Sequence, residues 1–117
     1  MVREYGWRIA NRGAMDACQR SVAKDVRFYR DGSTPTVGTA AAQEILERRG
    51  GLVTWLPAAQ RASASGDLGY TYGLLEWRAR AKATPDSSAF VHIWRRMPGE
   101  KWKLVFDIEN GFPKRSP

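Results

Sequence analysis

The strongest constraint on this chain lies in its second half. From Leu52 to Glu109 the sequence is dominated by strand-forming residues, cut into four runs by short turns. The pattern predicts strands over Leu52 to Ser63, Leu68 to Ala81, Ser88 to Met97 and Trp102 to Glu109. Ser65-Gly66-Asp67, a loop carrying Pro85, and Pro98-Gly99-Glu100 separate them. Glycine and aspartate suit a hairpin turn that needs an unusual backbone angle. Consecutive strands joined this way pair antiparallel as a meander, which must bury at least one face under something else.

The first half supplies the cover. Arg3 to Asn11 places Trp7 and Ala10 at helical spacing, and Gly13 breaks or kinks the run. Ala14 to Lys24 puts Met15, Cys18 and Val22 on one stripe of a second helix. Asp25 to Arg30 alternates Val26, Phe28 and Arg30 against Arg27 and Tyr29, a short strand. Thr39 is the expected cap of a further helix, Ala40 to Arg49, which Gly50-Gly51 ends. Helices first and strands later is the α+β order, and 117 residues make one domain, 1–117. Two prolines make the tail from Gly111 to Pro117 irregular.

Composition narrows the chemistry. Hydrophobic residues make up 43%, a globular value, and five tryptophans suggest aromatic walls. One cysteine, Cys18, cannot form an internal disulfide, and one Cys with one His cannot build a structural zinc site. Cys18, at helical spacing with apolar neighbours, reads as a buried inert thiol. The net charge of +7 is spread from Arg3 to Arg115 with no basic run longer than two, and nucleic-acid motifs are absent. The charge is read as a solvated surface, not a nucleic-acid site. No apolar run could span a bilayer and no signal-peptide core opens the chain, so a soluble, cytoplasmic protein is expected.

Three pieces carry a resemblance. Asp25-Val26-Arg27-Phe28-Tyr29-Arg30-Asp31-Gly32, followed by Pro35 and Gly38, is the first. Ser65-Gly66-Asp67-Leu68-Gly69-Tyr70-Thr71-Tyr72-Gly73 is the second. His92-Ile93-Trp94-Arg95-Arg96 with Gly99, then Trp102-Lys103-Leu104-Val105-Phe106-Asp107, is the third. From about Trp7 to Pro113 the chain resembles the nuclear transport factor 2-like superfamily, in its SnoaL-like, ketosteroid isomerase-like branch. The resemblance implies a cystatin-like cone, with N-terminal helices packed on a curved antiparallel sheet. It implies a pocket on the concave side and a homodimer through the convex side.

Period-two alternation puts Phe90, His92 and Trp94 on one face of the third strand, and Val91, Ile93 and Arg95 on the other. By resemblance, the face with Tyr72, Phe90, His92 and Trp94 is concave. Val91, Ile93 and Val105 are expected on the dimer side. Tyr29, Trp55, Tyr72, Phe90 and Trp94 are expected to wall the pocket. His92, the only histidine, is a candidate proton donor or acceptor, or a core histidine satisfied by a neighbour. Asp107, a carboxylate within an apolar strand, is a candidate acid or base, or the partner of a nearby Arg or Tyr.

Aligned on the ketosteroid isomerases, His92 falls where those enzymes carry the protonated acid, and Arg30 where they carry the carboxylate base. Arginine stays charged and cannot take that proton, so that mechanism does not transfer as it stands. Asp31 could replace it only if the register slips by one. The expected function is a small-molecule-binding domain that needs no cofactor. It would act by proton transfer on a compact apolar carbonyl or hydroxyl compound, as an isomerase, cyclase or dehydratase. The alternative is a non-catalytic dimeric adaptor.

Overall fold

The computed structural model describes residues 2–111. The expected tail beyond Gly111 lies outside the described residues, and Gly111 itself ends the last strand. The elements are α1 (Val2–Arg20), β1 (Val22–Tyr29), β2 (Thr36–Val37), α2 (Thr39–Arg49), β3 (Leu52–Ala62), β4 (Leu68–Arg78), β5 (Asp86–Arg95) and β6 (Lys103–Gly111). The strands form one six-stranded sheet in the order β2-β1-β6-β5-β4-β3, and α1 and α2 pack on its inner face. The α+β class holds.

The sheet is mixed, which corrects the all-antiparallel expectation. β3 to β6 are the antiparallel meander, but β1 runs parallel to β6 and β2 is added antiparallel at the far edge. Pairing with β6 also shortens the first helix. Leu104 N–H donates to the Ser21 carbonyl at 2.8 Å, so the chain is already strand from Val22, where a helix to Lys24 was expected.

Gly13 has φ 87° and ψ 170°, values no helix contains, and kinks α1 there. The kink resets the helical phase. Ala17 and Cys18 face the core while Met15, expected beside them, is 54% exposed. Thr39 is not the cap of α2. Gly38 holds that position, and no side chain caps the helix.

The core lies between the helices and the sheet and is built from Tyr5, Cys18, Val26, Phe28, Leu46, Leu75, Phe90, Trp94 and Leu104. Trp94 is its largest member. Its indole N–H donates to Thr71 Oγ1 at 3.1 Å, which satisfies the polar atom it buries. Gly69 and Gly73 of β4 stand opposite Trp94 and Phe90 of β5. A Cβ on Gly73 would meet the Leu56 carbonyl at 2.2 Å, at the bulge where β3 bends over β4. The missing side chains let the sheet curl around its large inner residues.

Candidate functional site

The inner face of β5 and β6 carries the titratable groups. His92 stands directly opposite Asp107 in the antiparallel register, so both side chains leave the sheet on the same side. Both are fully buried, at 0% exposure. His92 Nε2 lies 3.5 Å from Asp107 Oδ2, within ion-pair reach but longer than a good hydrogen bond. Four rings box the imidazole: Phe90 at 4.7 Å, Tyr5 at 5.7 Å, Trp94 at 5.7 Å and Trp55 at 6.1 Å between centroids. Neither ring nitrogen of His92 has a hydrogen-bond partner, nor has the Tyr5 hydroxyl.

Arg30 holds the other side of Asp107. It follows β1, whose parallel register sets Phe28 beside Asp107, so Arg30 points inward in the same phase. Its Nη1 donates to Asp107 Oδ1 at 3.0 Å, to the Asp107 carbonyl at 3.0 Å and to the Tyr29 carbonyl at 3.1 Å. Its Nη2 lies 3.1 Å from Glu109 Oε2, and Arg49, from the last turn of α2, pairs with Glu109 Oε1. The result is a chain of ion pairs: His92, Asp107, Arg30, Glu109, Arg49.

The two carboxylates are driven in opposite directions. Burial pushes Asp107 up, but His92 and Arg30 outweigh it and hold the carboxyl well below its usual range. Burial pushes Glu109 up, the Asp107 charge adds to it, and Arg30 and Arg49 offset only part. Burial, helped by Asp107, raises the Tyr5 phenol well above its ordinary value. Asp107 is therefore the fixed negative charge of the site, and Glu109 is the group more ready to hold a proton.

Three of the five expected wall residues stand around His92: Trp55, Phe90 and Trp94. The other two do not. Thr71 is the β4 residue opposite His92, so its neighbours Tyr70 and Tyr72 point to the convex face, where Tyr72 is 45% exposed. Tyr29 also lies on that face, stacked on Phe106 with centroids 5.9 Å apart. Val105, expected on the dimer side, is buried at the bulge between Ile93 and Trp94. Phe106 and Ile108 occupy the convex positions instead. Asp31 is remote from His92. It is exposed and accepts from Gly111 N–H at 2.6 Å, so the register does not slip.

Tyr5, Arg49 and Glu109 belong to the site although the sequence did not single them out. Glu109 carried a signal, since it sits two residues from Asp107 on one strand and must share its face. Tyr5 and Arg49 carried none, because helix phase alone does not say which sheet residue they meet. Among the described residues, no group of three or more His, Cys, Asp or Glu is placed to hold a metal ion.

Solved structures share this architecture. An NTF-2 like protein of unknown function from Shewanella oneidensis superposes with a TM-score of 0.72 at 10% identity, covering 92% of this chain and 91% of that one. The chain has the nuclear transport factor 2-like fold. A protein of unknown function with a cystatin-like fold from Nostoc punctiforme gives 0.73 at 11% identity, covering 96% and 86%. A ketosteroid isomerase-like protein from Erwinia carotovora gives 0.65 at 13% identity, covering 94% and 89%. No protein-family model and no curated protein matches the sequence. Identities this low carry the nuclear transport factor 2-like fold and not an activity.

Proposed function

We propose that the concave side of this domain binds a compact, mostly apolar molecule with a carbonyl or hydroxyl group, and that His92 moves a proton on it. One observation carries the reading. His92 and Asp107 are fully buried side by side, in a box of four aromatic rings, with neither imidazole nitrogen spent on a hydrogen bond. An aromatic box with a titratable pair at its floor suits an apolar ligand with one polar end. Asp107, kept ionised beside Arg30, stabilises the imidazolium that forms when His92 takes a proton. Isomerisation, cyclisation and dehydration each need such a step and no cofactor for it. The compartment proposed is the cytoplasm, where a lone buried thiol stays reduced; no helix among the described residues is long and apolar enough to cross a membrane.

A thermal-shift screen against apolar carbonyl and hydroxyl compounds tests the reading, because a ligand stabilises the folded state by mass action. Compounds that raise the wild-type melting temperature should lose their effect or their turnover in His92→Ala and Asp107→Asn. Unchanged binding and turnover in both variants would sink the assignment.

The convex face supports a second, compatible role. Leu56, Tyr70, Tyr72, Leu74 and Val91 are exposed there, with Ile93, Phe106 and Ile108 half-buried beside them. An apolar face of this kind on a sheet calls for cover, and a second copy of the chain is the proposed cover. If ligands never bind, this surface makes a non-catalytic dimeric interaction module the better description.

A further inference from the structure

A cleft of about 550 Å³ opens between α1, the end of α2 and the start of β3. Its walls are mainly apolar, from Ile9, Ala10, Ala14, Leu46, Val53 and Trp55. That volume suits a small organic ligand. His92 is not among its lining residues, yet one side chain stands beside both. Trp55 lines the cleft and also lies 6.1 Å from the His92 ring and 5.4 Å from Tyr5.

We propose that an apolar ligand enters and rests in this cleft, and that the Trp55 indole is the gate through which its polar end reaches His92. The inference rests on the acid–base reading of His92 for its purpose, though not for its geometry. Three features single out Trp55. It is half-buried, and its indole N–H is buried without a partner, whereas Trp94 and Trp77 spend theirs on Thr71 Oγ1 and the Gly50 carbonyl. It stands on β3, an edge strand of the sheet, free of a strand neighbour on one side. The residue facing it from α1 is Gly6, where a Cβ would come within 3.2 Å of Trp55 Cε3.

Glycine inside a helix is unfavourable unless space is needed. Here the space is what the indole rests against. The Trp77–Gly50 hydrogen bond ties the rim of the cleft, so the rim stays while the ring moves. The room an indole vacates is a flat slab. Planar apolar compounds, aromatic or cyclic carbonyls, are therefore the class this gate admits.

The chain has one histidine, so the gate can be read without knowing the ligand. Diethyl pyrocarbonate modifies imidazole nitrogen and is followed by ultraviolet absorbance. Wild-type His92 should react slowly, through brief openings of the ring. Trp55→Ala should react about tenfold faster or more, because the local opening step is removed. Gly6→Ala, which presses the ring inward, should react more slowly than wild type. Trp55→Leu serves in place of Trp55→Ala if the latter does not fold. A rate that ignores Trp55, or that follows urea in step with global unfolding in every variant, overturns the gate. If ligands shift the wild type yet the modification rate ignores Trp55, the gate fails while the functional reading stands. If no carbonyl compound binds yet Trp55 controls the rate, the gate stands and the functional reading fails.

Discussion

Replacing Arg30 by Met removes the centre of the buried ion-pair chain while keeping the stem. The change deletes the Nη1 bonds to Asp107 Oδ1, the Asp107 carbonyl and the Tyr29 carbonyl, and the Nη2 contact with Glu109. Asp107, with no exposed surface, is left with His92 as its one ion-pair neighbour. Breaking a buried pair by removing one partner costs about 3–5 kcal/mol, because the surviving charge stays desolvated. Folded domains are stable by about 5–15 kcal/mol, so the variant should retain its fold only with a narrow margin.

The cost must depend on pH. In the wild type the Asp107 carboxyl is held below its unfolded value, so its contribution is present above about pH 4 and is lost as pH falls through the native value. Without Arg30 the carboxyl rises, and protonation then relieves the penalty. The stability difference between wild type and Arg30→Met should therefore shrink as pH falls from about 7 to about 4.5. Urea unfolding followed by circular dichroism at several pH values measures it. Adding Asp107→Asn to Arg30→Met should recover part of the loss, since no buried charge is then unpaired. A loss below about 1 kcal/mol, or one independent of pH, would refute the claim that Arg30 neutralises a buried anion.

Other outcomes follow from single contacts. Thr71→Val takes the acceptor from the buried Trp94 indole and should cost about 1–3 kcal/mol in urea unfolding. Burial pushes the Cys18 thiol up to about 11, so its reaction with a disulfide reagent near neutral pH should be slow and speed up only with urea. Tyr72→Lys places a charge on the convex face and should leave a monomer by light scattering while ligand-induced thermal shifts persist.

The architecture was legible because it rests on long-range alternation and punctuation. Strands of nine to eleven residues, with glycine turns at Gly66 and Gly99, admit few other readings. The parallel β1–β6 pair was not legible, since nothing local in Val22–Tyr29 says which strand it will join. The inner place of His92 follows from the resemblance, whereas Asp107, which alternates in phase with Val105, is expected with it on the dimer side, and Tyr72 is expected on the inner face that it does not occupy. The sign that would have corrected it is glycine. Gly69 and Gly73 share a face with Thr71, and a curled sheet puts its missing side chains on the concave side, opposite Trp94 and Phe90. Tyr29 alternates with Phe28 and keeps phase with Arg27, which by itself places it away from the core and against its expected place in the pocket wall. Tyr5 and Arg49 depended on where two helices settle, which a kink at Gly13 and an uncapped α2 leave to tertiary packing.

The charge count of the cluster bears on the kind of chemistry it favours. Arg30 and Arg49 bring two positive charges, Asp107 one firm negative charge, and Glu109 a carboxyl that burial pushes toward its neutral form. The two arginines balance the two carboxylates, and any proton held on Glu109 tips the cluster toward positive before His92 is counted. Positive charge under aromatic cover lowers the energy of negative charge that develops nearby, as on the oxygen of an enolising carbonyl. Under that cover stands an imidazole, supported by an ionised aspartate with an arginine behind it. The support is transmitted in one direction, from Arg30 through Asp107 to His92. Asp107→Asn should therefore lower any turnover chiefly through kcat and shift its pH profile, with substrate affinity little changed, because Asp107 is the partner of His92 and not a wall of the cleft. A loss confined to KM would mean that Asp107 meets the ligand itself, and would reverse the roles assigned to the pair.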